Sequence, residues 1–220
     1  MAITPTYTVS NTVSVSQSTI DLVIGLADEA FRLWSNALAG NATVNVTLKF
    51  EETANNRANG GWTSGVFLAT SGGFNHFAGA TAFELSSGGE HSGAADITIT
   101  FDPDYLRDEL YLDATPQSRT DTPIDRTDGL SVLLHEIGHG LGFTGYYDES
   151  SNSFSSNAKT PYDFRLVTGG PLVLFEGPNT AQLLGESLEL TDNNYTHYGN
   201  SSAYPGFDPD PLLGLMNGVV

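Results

Sequence analysis

No cysteine occurs among the 220 residues. Disulfides are excluded, and so is any zinc site built on thiolates; a metal of that class would have to sit on His, Asp, Glu or Tyr. Basic residues are almost as scarce, with eight Lys and Arg against 26 Asp and Glu and a formal net charge of −18. Nucleic acid and anionic membrane surfaces both require a cationic face, which this chain lacks the charge to build. No apolar run approaches the roughly 18 residues of a membrane-spanning helix. The opening segment Met1-Ala2-Ile3-Thr4-Pro5 has neither the basic nor the apolar region of a secretory leader. Export would then use another signal, or the chain has been trimmed. Charged residues are only 15% of the chain while glycine numbers 24, which describes a polar, loop-heavy surface rather than a helix bundle.

What is present suffices for a core. Hydrophobic residues make up 39% and aromatics 10%, too much for wholesale disorder. The length fits one large domain or two small lobes. Acids cluster at Asp102, Asp104, Asp108 and Asp113, and again at Asp121, Asp125 and Asp128. They form a solvated acidic surface or hold Ca2+, and no segment has the spacing of a calcium-binding helix–loop–helix. Asn41, Asn45, Asn194 and Asn200 stand in Asn-x-Ser/Thr triplets, which matter only in a source that glycosylates.

Periodicity divides the chain. Residues 7–16 alternate loosely and suggest an early strand. Gln17–Ala39 places Ile20, Val23, Ile24, Ala27, Phe31, Trp34 and Leu38 at helical spacing, with Ser18 or Thr19 as cap and Gly40 as terminator. Ala42–Glu51 alternates at period two and reads as a half-buried strand. A Gly/Asn-rich loop is expected through Asn55, Asn56, Asn59, Gly60 and Gly61. Short strands are expected at Val66–Thr70 and Ala80–Leu85, and a stronger one at Ala95–Phe101. Asp102–Asp125 is an acidic connection, after which Asp128 caps a helix running to about Gly142. Residues 1–143 thus form an α+β lobe, and residues 144–220 a second, irregular lobe within one domain overall.

That last helix carries Leu133-Leu134-His135-Glu136-Ile137-Gly138-His139-Gly140-Leu141-Gly142-Phe143. His135 and His139 are four residues apart and project from one helical face. Two neutral imidazoles so spaced can grip one zinc ion, with Glu136 beside them to take a proton from water. Chance alone would produce H-E-x-x-H in roughly one chain in two hundred of this composition, so the motif carries weight. An ordinary core helix explains Leu130, Leu133, Leu134, Ile137 and Leu141 but not His, Glu and His together.

The motif resembles that of the metzincin family of zinc peptidases, whose extended pattern is H-E-x-x-H-x-x-G-x-x-H followed by a Met-turn. His135, Glu136, His139 and Gly142 match; Gly145 stands where the last His belongs. The leishmanolysin-like branch keeps H-E-x-x-H-x-x-G-F and delays its third His by an insertion, and this chain looks like that branch. His197 is the histidine that follows the helix, and Leu215-Met216-Asn217-Gly218 resembles a Met-turn. Serralysin-type enzymes are similar in their acidic, cysteine-free composition, but keep the compact motif. Glu149, Glu176, Asp163 and Asp192 compete with His197 as third ligand.

The resemblance implies a metzincin-like α+β zincin. Its N-terminal lobe would hold a twisted mixed sheet and two long helices, its C-terminal lobe would be irregular, and a zinc cleft would lie between them. His135, His139 and His197 would ligate Zn2+, and Met216 would pack beneath the metal as an apolar floor. A further helix usually follows the Met-turn in that family; this chain stops at Val220, so its C-terminal part is expected to be missing. The implied activity is zinc endopeptidase, with Glu136 as general base. A protein or peptide substrate would lie antiparallel along a sheet edge, for which Ala95–Phe101 is the candidate strand. A secreted bacterial monomer is expected, with no nucleic-acid partner. Two alternatives remain: a zinc-stabilised adhesion or interaction domain whose site has decayed, and a metal-dependent amidase.

Overall fold

The computed structural model describes residues 2–91, 95–116, 122–148, 150–170, 172–177, 179, 180, 182, 185, 187–191 and 194–198. The expected Met-turn residue Met216 and the candidate ligands Glu149 and Asp192 lie outside them. In chain order the elements are β1 (Ile3–Asn11), α1 (Gln17–Ala37), β2 (Ala42–Phe50), β3 (Ala58–Trp62), β4 (Gly65–Ser71), β5 (Phe74–Gly79), α2 (Ala80–Ser87), β6 (Ile97–Phe101), α3 (Pro103–Asp108), β7 (Leu110–Tyr111), β8 (Thr127–Asp128) and α4 (Gly129–Leu141). Short strands follow: β9 (Tyr147–Asp148), β10 (Ser153–Phe154), β11 (Ala158–Lys159), β12 (Leu166–Val167), β13 (Leu174–Phe175), β14 (Leu188–Thr191) and β15 (Asn194–Tyr198). The chain is mixed α+β, with four α-helices among the described residues, and among those residues no helix is long and apolar enough to cross a membrane.

Two units divide the chain, Met1–Val66 with Gly79–Leu141, and Phe67–Ala78 with Gly142–Val220. The first is built on a mixed sheet of order β1-β2-β6-β3. β1, β2 and β6 run parallel, and β3 returns antiparallel to β6. Buried Val44, Val46, Leu48 and Phe50 of β2 alternate as period two requires. Helix α1 buries Ile20, Val23, Leu26, Ala27, Ala30 and Phe31 at helical spacing. Its cap is Ser16, two residues before Ser18 and three before Thr19, because the Ser16 hydroxyl accepts from the Thr19 N–H at 3.2 Å. α1 and α4 pack together, and the Trp34 indole donates to the Leu134 carbonyl at 3.1 Å.

Three expectations need correction in this unit. Ala80–Leu85 is helical, part of α2, which follows its N-cap residue Gly79 and closes on left-handed Gly88. The Gly/Asn-rich stretch around Asn59, Gly60 and Gly61 is a strand, β3. Ala95–Phe101 contributes an interior strand, β6, because β3 covers the side expected to be free.

In the second unit β11 pairs parallel with β5, beside β4. β12, β13, β14 and β15 form an antiparallel sheet. Their core is aromatic: Tyr147, Tyr162, Val173 and Leu190 are buried, with Phe143, Phe154, Phe175 and Tyr195 packed around them. The irregular sequence thus folds on ring packing rather than on periodic aliphatic stripes.

Candidate metal centre

Helix α4 starts where Asp128 accepts from the Ser131 N–H at 3.0 Å and the Ser131 hydroxyl at 2.6 Å, an N-cap as expected. Leu130, Leu133, Leu134, Ile137 and Leu141 are all buried. The helix rests on β6 through Gly140, where a Cβ would fall 2.7 Å from Ile97 side-chain atoms. Beyond α4, Gly142 has φ +122°, a conformation that side chains other than glycine's disfavour. The motif's glycine therefore ends the helix.

His135 is 4% exposed, Glu136 is 6% exposed and His139 is half-buried. The Nε2 atoms of His135 and His139 lie 3.2 Å apart, and the rings meet edge to face at 86° with centroids 4.8 Å apart. Half-buried His197 brings its Nδ1 to 3.2 Å from the Thr196 hydroxyl. One ligating atom from each of His135, His139 and His197 lies within 4.8 Å of the others. Three histidines close together could hold a metal ion, and an all-imidazole set suits zinc, copper, iron or nickel better than calcium or magnesium.

Burial pushes the Glu136 carboxyl up to about 7, opposed by a hydrogen bond from the Gly60 N–H. Gly60 is a close approach between β3 and α4: a Cβ there would stand 2.6 Å from the Glu136 Cβ and 2.7 Å from its carbonyl oxygen. Sequence reasoning treated Gly60 as loop. The signal it had was the Gly60-Gly61 pair next to Trp62, which marks close backbone packing as readily as a turn.

Of the competing third ligands, Glu176 is exposed and accepts from the Ser187 hydroxyl at 3.1 Å. Asp163 serves the backbone instead. Its carboxylate accepts from the N–H groups of Tyr146 at 3.0 Å and Thr160 at 2.7 Å, and from the Thr160 hydroxyl at 3.1 Å. Burial raises the Asp163 carboxyl and these bonds oppose the rise. A Cβ on Gly145 would run into that carboxylate. The position where the compact motif carries histidine thus has no room for a side chain in this fold. Next to Asp163, the Tyr162 hydroxyl donates to the Tyr195 carbonyl at 2.7 Å, two residues before His197 on β15.

Of the acids suspected of holding calcium, Asp121 lies outside the described residues, and five others have local duties, Asp128 among them as the cap of α4. Asp102 caps α3 through Asp104 N–H and also accepts from Thr53 N–H; Asp104 and Asp108 pair with Arg107; Asp113 accepts from Thr115. Among the described residues, the three histidines are the one group of three or more His, Asp or Glu arranged to hold a metal. Comparison with protein-family models, with curated proteins and with solved structures returned no match.

Proposed function

We propose that this chain is a zinc-dependent endopeptidase of the metzincin type, with His135, His139 and His197 as ligands and Glu136 as general base. Glu136 is the observation that carries the reading. A buried carboxylate follows His135 directly, held by the Gly60 N–H and poised near neutrality. A purely structural metal site has no use for such a group, and its presence also argues against a decayed adhesion domain. The imidazole set fits zinc, which takes three protein ligands and one open position in hydrolytic sites. Zinc bound there would supply Lewis acidity, acidifying water and polarising a carbonyl oxygen.

The chain's own residues do the rest. Glu136 takes a proton as water attacks the scissile carbonyl carbon, and returns it to the amine nitrogen as the C–N bond breaks. A neighbouring dication draws the carboxyl below its metal-free value, toward the ionised form that a base requires. The Gly60 N–H fixes the orientation of that carboxylate. β3 is the terminal strand of its sheet, so an extended peptide would lie along β3 rather than along Ala95–Phe101, through main-chain hydrogen bonds.

The test is Glu136→Gln in zinc-loaded protein, assayed on an unfolded protein substrate. Zinc content should hold at one per chain while turnover falls by roughly 10²–10⁴-fold. Wild-type turnover in the variant would end the proposal.

A further inference from the structure

The sheet β11-β5-β4 ends on a strand with none of the usual safeguards. β4 is its terminal strand, so among the described residues no strand pairs with its outer row of N–H and C=O groups. Every residue of β4 except Val66 is exposed. Phe67 is 55% exposed and Leu68 is 45% exposed. Neighbours on a strand point to opposite faces, so the edge is apolar on both. Such edges are usually blunted by Lys, Pro, an inward charge or a bulge. β4, Gly-Val-Phe-Leu-Ala-Thr-Ser, carries neither charge nor proline.

The lack of charge extends past β4. No Asp, Glu, Lys or Arg occurs in residues 58–83, in a chain with 26 acids and a net charge of −18. On β11, beyond β5, Lys159 lies over aromatic rings, its Nζ 4.4 Å from the Phe74 centroid and 3.9 Å from that of Phe154. The hairpin that presents the edge is regular. Gly72 and Gly73, between β4 and β5, have φ +58° and +84°, the paired positive values with which a two-residue turn matches strand twist. Phe67 meets Phe77 of β5 edge to face, with centroids 5.7 Å apart. A strand already held extended has little ordering entropy left to lose when a partner binds.

We propose that β4 is a docking strand, taking an extended, apolar, non-acidic segment of another polypeptide as a fourth strand of its sheet. Main-chain hydrogen bonds would supply affinity, and Phe67 and Leu68 would favour apolar side chains on the two faces. The net charge selects against an acidic segment. It also selects against a second copy of this chain, which would bring −18 against −18. β4 belongs to a different sheet from β3 and docking there needs no metal, so this site stands or falls apart from the peptidase reading.

The experiment is fluorescence anisotropy with zinc-loaded Glu136→Gln protein, which spares the probe from cleavage. The probe is a short dye-labelled peptide of Val and Thr with Lys at each end, and it should bind saturably. N-methylation of one alternate set of its residues should abolish binding and methylation of the other set should not, because a strand offers alternate N–H groups to each side. Phe67→Ser and Leu68→Ser, added singly, should each weaken binding by roughly tenfold. Both side chains are exposed, and the methylation readout needs neither variant. The same peptide with Asp at each end should bind more weakly at low salt.

Absence of binding overturns the proposal. So does binding that survives both methylation patterns or is lost in both. Affinity untouched by the two substitutions overturns it too, placing the peptide elsewhere, as on β3. Equal or tighter binding of the Asp-ended peptide overturns the stated chemistry of the partner. Sedimentation of wild type alone tests the other occupant: a dimer that Leu68→Ser dissociates would give β4 to a second copy instead. Turnover of an unfolded protein by zinc-loaded wild type reports separately on the histidine centre.

Discussion

In metal-free protein, raising the pH from about 5 to about 8 should cost stability, and Glu136 should account for much of the loss. Burial lifts its carboxyl from the ordinary 4.5 to about 7, and the Gly60 N–H is the opposing influence. The native state therefore holds a proton that the unfolded chain has already released. That advantage is complete below the unfolded value and disappears as pH rises through about 7. The gap corresponds to about 3 kcal/mol at 1.36 kcal/mol for each tenfold change in proton affinity. For a chain of this length that is a Tm decrease of roughly 6–12 °C across the window. Melts would be recorded in chelator for wild type and Glu136→Gln. The amide keeps the side chain's shape and an oxygen for Gly60 but does not titrate. The variant should match wild type near pH 5 and exceed it near pH 8. Asp163 and Glu84 are also raised by burial, but they titrate in both proteins and drop out of the difference. Parallel curves for the two proteins would refute the assignment of the raised pKa to Glu136.

Three substitutions probe the rest of the site. His197→Ala should weaken zinc binding by more than about 100-fold, read as metal per chain after dialysis; unchanged zinc would remove His197 from the ligand set. Gly145→Ala should destabilise by about 3 kcal/mol, since its methyl group displaces the Asp163 carboxylate from the Tyr146 and Thr160 N–H groups. An unshifted denaturation midpoint would contradict that packing. Gly60→Ala places a Cβ 2.6 Å from the Glu136 Cβ and should lower turnover by about 10²-fold while zinc content holds; full turnover would show that the β3–α4 contact does not position the carboxylate.

The elements legible in the sequence were those in which one physical requirement dominates. α1 and α4 needed only an apolar stripe and a cap, and β2 only alternation. The same reasoning failed where two requirements compete. β3 (Ala-Asn-Gly-Gly-Trp) has almost no strand propensity, because its backbone must approach α4 so closely that Gly60 cannot carry a side chain. Its misreading as a loop then made the interior strand β6 look like an edge. α2 is short and has no strong apolar stripe; its buried Thr81 and Glu84 face inward against the usual pattern, so periodicity had nothing to detect.

Gly145 is the most instructive case. Set against the metzincin pattern it is a missing ligand, and a missing ligand suggests decay. Its surroundings give it a reason of its own. Asp163 occupies the space that a side chain at 145 would need, and it ties the segment after α4 to Thr160 through backbone bonds. Tyr162, its neighbour, holds the Tyr195 carbonyl on the strand that carries His197. A chain of direct contacts thus runs from the glycine through the buried carboxylate and its neighbour to the strand that carries the late histidine. A histidine at 145 would displace the Asp163 carboxylate from the Tyr146 and Thr160 N–H groups, so Gly145→His should fail to rescue zinc binding in a His197→Ala background. Recovery of one zinc per chain in that double variant would show that the departure at 145 is mere loss, and that Asp163 can yield its place.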